Sequence, residues 1–328
     1  MTVRPSLPGR LVASALLCSL ALAACGGGSS SDSDSGSDSG SKGAAGVDLS
    51  GVKVTFGSKE FTEQLVLGQI GVQALKAAGA TVTDRTNLTG TSVVRTALTS
   101  GEIDAYYEYT GTGWITILKK TDPVPGAEPQ FTAVRDADKA NGITWFARAE
   151  ANNTFAIAAN PDAAKELNVS TLSDYARVAK EQPDKATLCS SAEFINRNDG
   201  LPGVEKAYGF TLDPKKVIQL EPALVYTQVG KRNPCSFAVV FATDGAIKGN
   251  DLVVLKDDKS FFPPYNISVT MRTPVYQANA AKFDKLFDTI DKQLTDAKMT
   301  ELNAKVDVDG EDAADVAKQF LDDAGITS

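Results

Sequence analysis

Two short segments concentrate side chains able to hold a charged small molecule. They are Gly57-Ser58-Lys59-Glu60-Phe61-Thr62-Glu63-Gln64 and Asp104-Ala105-Tyr106-Tyr107-Glu108-Tyr109-Thr110-Gly111-Thr112. At the two-residue period of a strand, Tyr107 and Tyr109 share one face and Tyr106 and Glu108 the other. Spacing alone leaves two readings open: tyrosines filling a half-buried strand surface, or tyrosines walling a cleft. Composition limits the chemistry further. The chain contains no histidine, which excludes Ser-His-Asp and Cys-His catalysis and His-ligated zinc together. Glu108 or Glu193 could act as an acid or base, but no activated nucleophile stands with either, so the chain is read as a binding protein and not an enzyme. Asp307 to Asp312 resembles a calcium loop. With Gly310 at the sixth position, however, Lys305 and Val316 fall where oxygen ligands are needed. Gly111-Thr112-Gly113 lacks the third glycine of a dinucleotide fingerprint. No metal and no cofactor are expected.

The elements that must position these segments read as α/β. Val52 to Phe56 alternates like a strand, and Leu67 to Ala78 recurs at helical spacing with Gly79 as its stop. Thr81 to Leu88 is a second strand, Thr91 to Leu98 a second helix, and Ile103 to Tyr109 a third strand. This βαβαβ order is the unit of a doubly wound parallel sheet. A second series begins near Thr154: strands over Phe155–Ala158, Ala186–Cys189, Val217–Leu220 and Phe237–Phe241, with helices at about Thr171–Lys180 and Gly203–Tyr208. A strand over Ile267–Met271 follows, then helices at about Val275–Asp296, near Thr300, and over Glu311–Ala324. The expectation is two lobes around a ligand cleft. Residues 48–151 plus 263–328 would form the first, and residues 152–262 the second. Both motif segments sit at strand-to-helix turns, the positions that face such a cleft.

The N-terminus carries an address. Arg4 and Arg10 precede an apolar run, Leu11 to Ala21, of signal-peptide length. Leu22-Ala23-Ala24-Cys25 then reads as a lipobox. Residues 1–24 are thus a signal peptide, and 25–47 a lipidated Cys25 followed by a Gly/Ser/Asp tether unable to bury a core. The expected location is extracytoplasmic, lipid-anchored to the outer face of the cytoplasmic membrane, at the cell surface or in the periplasm. The net charge of −8 becomes two units more negative without Arg4 and Arg10, which disfavours nucleic acid as a partner. Of four cysteines, Cys18 leaves with the signal peptide and Cys25 carries lipid. Cys189 and Cys235 remain, either as one disulfide, the expected state in an oxidising compartment, or as two buried thiols.

From Val52 to the C-terminus the chain resembles the glycine betaine, carnitine and choline-binding proteins of osmoprotectant ABC importers. The resemblance is carried by Gly57-Ser58-Lys59-x-Phe61-Thr62-Glu63-Gln64, Leu88-x-Gly90-Thr91, Gly101-Glu102-Ile103-Asp104 and Glu108-Tyr109-Thr110-Gly111-Thr112. It continues through Glu193-Phe194, Arg197, Asp199-Gly200-Leu201-Pro202-Gly203, Tyr208-Gly209-Phe210, Thr243-Asp244-Gly245, Asp257-Asp258-Lys259 and Pro263-Pro264-Tyr265. It implies a type II periplasmic-binding-protein-like fold and an aromatic box for a quaternary ammonium group made of Tyr109, Phe155, Phe241 and Tyr265. Lys59, Thr112 and Arg197 would take the ligand carboxylate. The implied solute is glycine betaine, choline, carnitine or proline betaine, and the implied partner the permease of an ABC importer, with the chain itself a monomer. The alternative in the same fold is an amino acid, a polyamine or an aromatic solute. Phe155 and Phe241 stand where tyrosine is common in the family, which keeps the ring face and removes the hydroxyl.

Overall fold

Alternation in β1 (Lys53–Lys59) turns Val54 and Phe56 into the core while Lys53 stays exposed. The helix Thr62–Ala77 packs tightly on that strand: a Cβ at position 71 would lie 2.4 Å from the Phe56 ring, and one at position 68 would lie 2.8 Å from Ser58 Cβ. Glycine at both places lets the helix approach, and this fixes the β1-to-helix turn that holds Lys59, Phe61 and Glu63.

The structure, a computed structural model, describes residues 44–120, 124–197 and 200–327. The signal peptide, Cys25, most of the tether and Asp199 lie outside the described residues. Residues 44–47, assigned to the tether from composition, belong to the folded part. Ala44 and Val47 are buried, and Ala45 N donates to Ile326 O at 2.9 Å. Their two small apolar side chains were too faint a signal beside the glycine- and serine-rich stretch before them.

The remaining strands are β2 (Thr81–Leu88), β3 (Ala105–Tyr109), β4 (Ile143–Asn152), β5 (Phe155–Ala159), β6 (Leu188–Ser190), β7 (Val217–Gln219), β8 (Phe237–Phe241), β9 (Val253–Val254) and β10 (Asn266–Arg272). They form two sheets, in the orders β2-β1-β3-β10-β4 and β7-β6-β8-β5-β9. In the first sheet β2, β1 and β3 are parallel, as the βαβαβ pattern requires. The pairs β3/β10 and β10/β4 are antiparallel. The second sheet repeats the scheme, with β7, β6 and β8 parallel and β5 antiparallel to both β8 and β9. Each sheet has apolar clusters on both faces, so each lobe has its own core. The chain passes between the sheets twice, between β4 and β5 and again between β9 and β10. Cys189 on β6 and Cys235 just before β8 are joined by a disulfide across neighbouring strands, with Cα atoms 5.6 Å apart.

Local signals explain several boundaries. The helix Leu172–Glu181 begins at a capping box in which Thr171 Oγ1 accepts from Asp174 N at 3.1 Å and Asp174 Oδ2 accepts from Thr171 N at 3.0 Å. Asp312, in the stretch that resembles a calcium loop, caps the helix Ala313–Asp323 by accepting from Ala314 N at 2.8 Å. The single helix expected over Val275–Asp296 is instead two, Thr273–Ala278 and Ala280–Asp291, separated at Asn279 by a non-helical ψ of 33° and φ of −145°. A third, Asp296–Asp307, follows.

Candidate functional site

Each lobe delivers aromatic side chains to the junction between the sheets. Phe61, at the turn from β1 into the helix Thr62–Ala77, is 39% exposed, and Phe241, the last residue of β8, is 37% exposed. Their rings are stacked and nearly parallel, with centroids 6.4 Å apart and planes within 9°. Phe61 also stacks on Tyr109, at the end of β3, at 6.2 Å. Phe155 is the direct cross-strand partner of Phe241 in the β5/β8 pair, and the register puts their rings 5.1 Å apart. Tyr265, just before β10, meets the edge of Phe155 at 6.0 Å. A continuous run of rings thus goes Tyr109, Phe61, Phe241, Phe155, Tyr265, leaving the first lobe, crossing the second and returning. A Cβ at position 111 would lie 2.7 Å from the Tyr265 ring, so Gly111 lets this ring seat against the turn after β3.

Cationic groups flank the run. Arg197 Nη2 donates to Tyr265 Oη at 3.0 Å, and its guanidinium carbon lies 5.3 Å from the Phe155 ring centroid. Lys59 Nζ lies 5.2 Å from the Tyr109 ring centroid. Lys59 is placed differently from a free carboxylate clamp. It is buried, and its ammonium donates to Glu108 Oε1 at 2.6 Å. Glu108 also accepts from Tyr106 Oη at 2.9 Å and from Tyr109 N at 2.8 Å. The parallel strands β1 and β3 bring them together: Phe56 pairs with Ala105, and Lys59 and Glu108 each lie three residues further along, at the strand ends. Thr112, half-buried, opens the short π-helical segment Thr112–Ile117 next to Gly111.

Beneath the rings lies a buried carboxylate, Glu63. Its Oε1 accepts from Tyr109 Oη and Asn153 Nδ2, both at 2.8 Å; its Oε2 accepts from Thr243 Oγ1 at 2.5 Å and Asn303 Nδ2 at 2.8 Å. Burial raises the Glu63 pKa above the ordinary glutamate value, against the lowering effect of the hydrogen bonds from Thr243, Asn303, Tyr109 and Asn153. Burial, and then the Glu63 charge, push the Tyr109 hydroxyl well above its usual pKa, so it is the donor in their bond. Two cavities adjoin the run. One of 230 Å³ lies beside Phe155 and Phe241 and is lined also by Ser191, Gln219, Glu221 and Tyr226. The other, of 440 Å³, lies beside Phe155 at the crossovers, against Asn152, Asp257 and Pro263. Among the described residues, no three acidic or cysteine side chains are grouped to hold a metal ion, and no helix is long and apolar enough to cross a membrane.

Residues 52–323 match the family described as the substrate binding domain of ABC-type glycine betaine transport systems. The chain belongs to this family. It is 36% identical over 270 residues to a glycine-betaine-binding protein of Pseudomonas aeruginosa, covering 81% of this chain and 86% of that one. It is 33% identical over 283 residues to the glycine betaine-binding protein YehZ of Escherichia coli, covering 84% and 91%. The solved structure of apo YehZ superposes with a TM-score of 0.68 at 32% identity, over 83% of this chain and 99% of that one. The family is one of substrate-binding transport proteins, and its two-sheet fold is that of periplasmic substrate-binding proteins.

Of the residues singled out from sequence, Tyr109, Phe155, Phe241, Tyr265 and Arg197 come together through the contacts above. Lys59 reaches the same place from below, bound to Glu108. Phe61 and Glu63 stand in the motif that carries the family resemblance, but the sequence alone assigns neither a role. The available signal for Phe61 was a large aromatic at a helix N-cap, where polar residues are preferred.

Proposed function

We propose that this chain is the extracytoplasmic solute-capturing subunit of an ABC importer. Its solute is a quaternary ammonium osmoprotectant such as glycine betaine, choline, carnitine or proline betaine. The observation that carries this reading is the run of Tyr and Phe rings across both lobes with Arg197 at its end. A trimethylammonium group has no N–H to donate, so a hydrogen-bonding site gains little from it. Aromatic faces attract its diffuse charge and match its apolar surface, at roughly 0.5–2 kcal/mol per ring. Arg197 offers a planar fork to a ligand carboxylate, and Thr112, following the glycine that seats Tyr265, offers a hydroxyl at the same end.

Ligand contacts from both lobes favour the closed arrangement, which the permease would receive. On this reading the chain acts as a monomer, held at the outer face of the cytoplasmic membrane by lipid on Cys25, with the serine-rich stretch after it as a tether. It binds without chemical turnover. Calorimetry with glycine betaine, choline, carnitine and proline betaine, against an amino acid, a polyamine and an aromatic solute as controls, tests the ligand class. Sub-millimolar binding of at least one quaternary ammonium compound and none of the controls is expected; the reverse pattern overturns it. Mass spectrometry of the membrane-bound form tests for diacylglycerol on Cys25.

A further inference from the structure

The buried carboxyl group of Glu63 has no place in the ligand contacts proposed above, yet it is held by partners from four separate parts of the chain. Tyr109 ends β3. Asn153 lies in the crossover between β4 and β5. Thr243 follows β8 in the second lobe, and Asn303 comes from the C-terminal helix Asp296–Asp307, which packs on the first. The donors are also tied to one another. Asn303 Nδ2 donates to Thr243 O at 2.8 Å, and Thr243 N donates to Asn153 Oδ1 at 3.4 Å. A Cβ at position 245 would lie 2.3 Å from Ala304 N, so the turn after Thr243 rests directly on the backbone of that C-terminal helix.

An ionised carboxylate suits this place because it only accepts, and each oxygen can take two donors. Glutamine has the same shape but would turn an NH2 group toward either Tyr109 and Asn153 or Thr243 and Asn303. Each of those pairs includes an amide NH2 that can only donate. The carboxylate therefore sets two things at once. Through the Tyr109 hydroxyl it sets the azimuth of a ring in the binding run. Through Thr243 and Asn153 it sets the angle at which the second lobe carries Phe155 and Phe241 toward that ring.

We infer that Glu63 is a positioning residue for ligand capture, the point at which the two lobes are indexed to each other and to the Tyr109 ring. The ligand half of this inference rests on the quaternary ammonium reading; the inter-lobe half does not.

The test uses the full chain and two near-isosteric variants, Glu63→Gln and Thr243→Val, the second keeping the fold if the first does not. Glycine betaine affinity is measured by calorimetry, and backbone hydrogen exchange by mass spectrometry. Removing a charge-assisted hydrogen bond between the lobes is expected to weaken binding about ten- to a hundredfold. Exchange should rise locally, over residues 152–155 and 241–245, with the lobe cores still protected. Glu63→Gln combined with Thr243→Val should be no weaker than Glu63→Gln alone, because both remove the same tie. Binding within threefold of the parent with unchanged exchange in both variants overturns the inference. So does exchange that rises throughout the first lobe in Thr243→Val, the mark of a merely structural role. If the parent itself binds no quaternary ammonium compound, the ligand reading fails, while the exchange pattern still decides the inter-lobe one.

Discussion

Phe61→Leu isolates the ring that no single lobe explains. Phe61 stacks on Tyr109 within the first lobe and on Phe241 of the second, at 6.2 and 6.4 Å. Because the side chain is 39% exposed, shortening it forfeits little buried area, and leucine retains much of the apolar contact. The change in folding stability should stay within about 1 kcal/mol. Loss of one π-face from a cation site costs roughly 0.5–2 kcal/mol, a two- to thirtyfold weaker affinity. The assay compares glycine betaine with 3,3-dimethylbutanoate, which has the same shape with carbon in place of the charged nitrogen. The ratio of the two affinities reads the cationic contribution and cancels packing. In Phe61→Leu that ratio should fall while binding of the carbon analogue changes little. If both ligands weaken equally, Phe61 acts by packing alone. If neither weakens, the rings do not form the cation site and the reasoning fails.

Three further outcomes are expected. Arg197→Lys loses the planar fork and the bond to Tyr265, so calorimetry should show glycine betaine binding at least about tenfold weaker, with choline, which has no carboxylate, affected less. Lys59→Met leaves Glu108 buried without its ion-pair partner; denaturant melts should show a loss of about 3–5 kcal/mol, partly restored by adding Glu108→Gln, whereas a free ligand clamp would lose affinity without stability. Asp291, buried and accepting from Tyr107 Oη at 2.8 Å, has its pKa raised well above the ordinary value by desolvation, against the lowering effect of that bond. A carboxyl raised in this way stabilises the fold below its unfolded pKa, and that contribution is lost as pH rises through the folded pKa. Asp291→Asn should therefore raise the melting temperature at pH 7 by more than at pH 4; a larger gain at pH 4 would contradict the sign.

What could be read from the sequence was what depends on neighbours along the chain. The limits of β2 and β8, the capping box at Thr171 and the terminating glycine after Tyr208 follow from local pattern, as do the motif turns that carry Lys59 and Tyr109. The break at Asn279 was not legible, because the apolar spacing of Phe283, Leu286 and Phe287 runs on without a glycine or proline at that point. The antiparallel strands β4 and β10 were invisible as partners, since strand order is a property of the sheet. Lys59 shows the consequence most clearly. Its type and place in the motif fit an anion ligand, yet the parallel pairing of β1 with β3 brings it to Glu108, with which it forms an ion pair. The ring of Phe61 and the four bonds to Glu63 likewise join segments far apart in sequence, beyond the reach of any periodicity.

The two phenylalanines at Phe155 and Phe241 take on a different meaning beside the two tyrosines. The Tyr109 hydroxyl donates to Glu63, and the Tyr265 hydroxyl accepts from Arg197; both serve to orient protein groups. Phe155 and Phe241 are held in place without a hydroxyl, by direct cross-strand pairing and by stacking at 5.1 Å. A hydroxyl on the buried Phe155 would need a partner of its own, at a cost if it were left unpaired. On the proposed reading, then, the ammonium end of the ligand is recognised by ring faces and shape alone. Every quaternary ammonium solute presents nearly the same methyl surface there, so discrimination among them has to arise at the other end, where Arg197 and Thr112 meet a carboxylate, a hydroxyl or nothing.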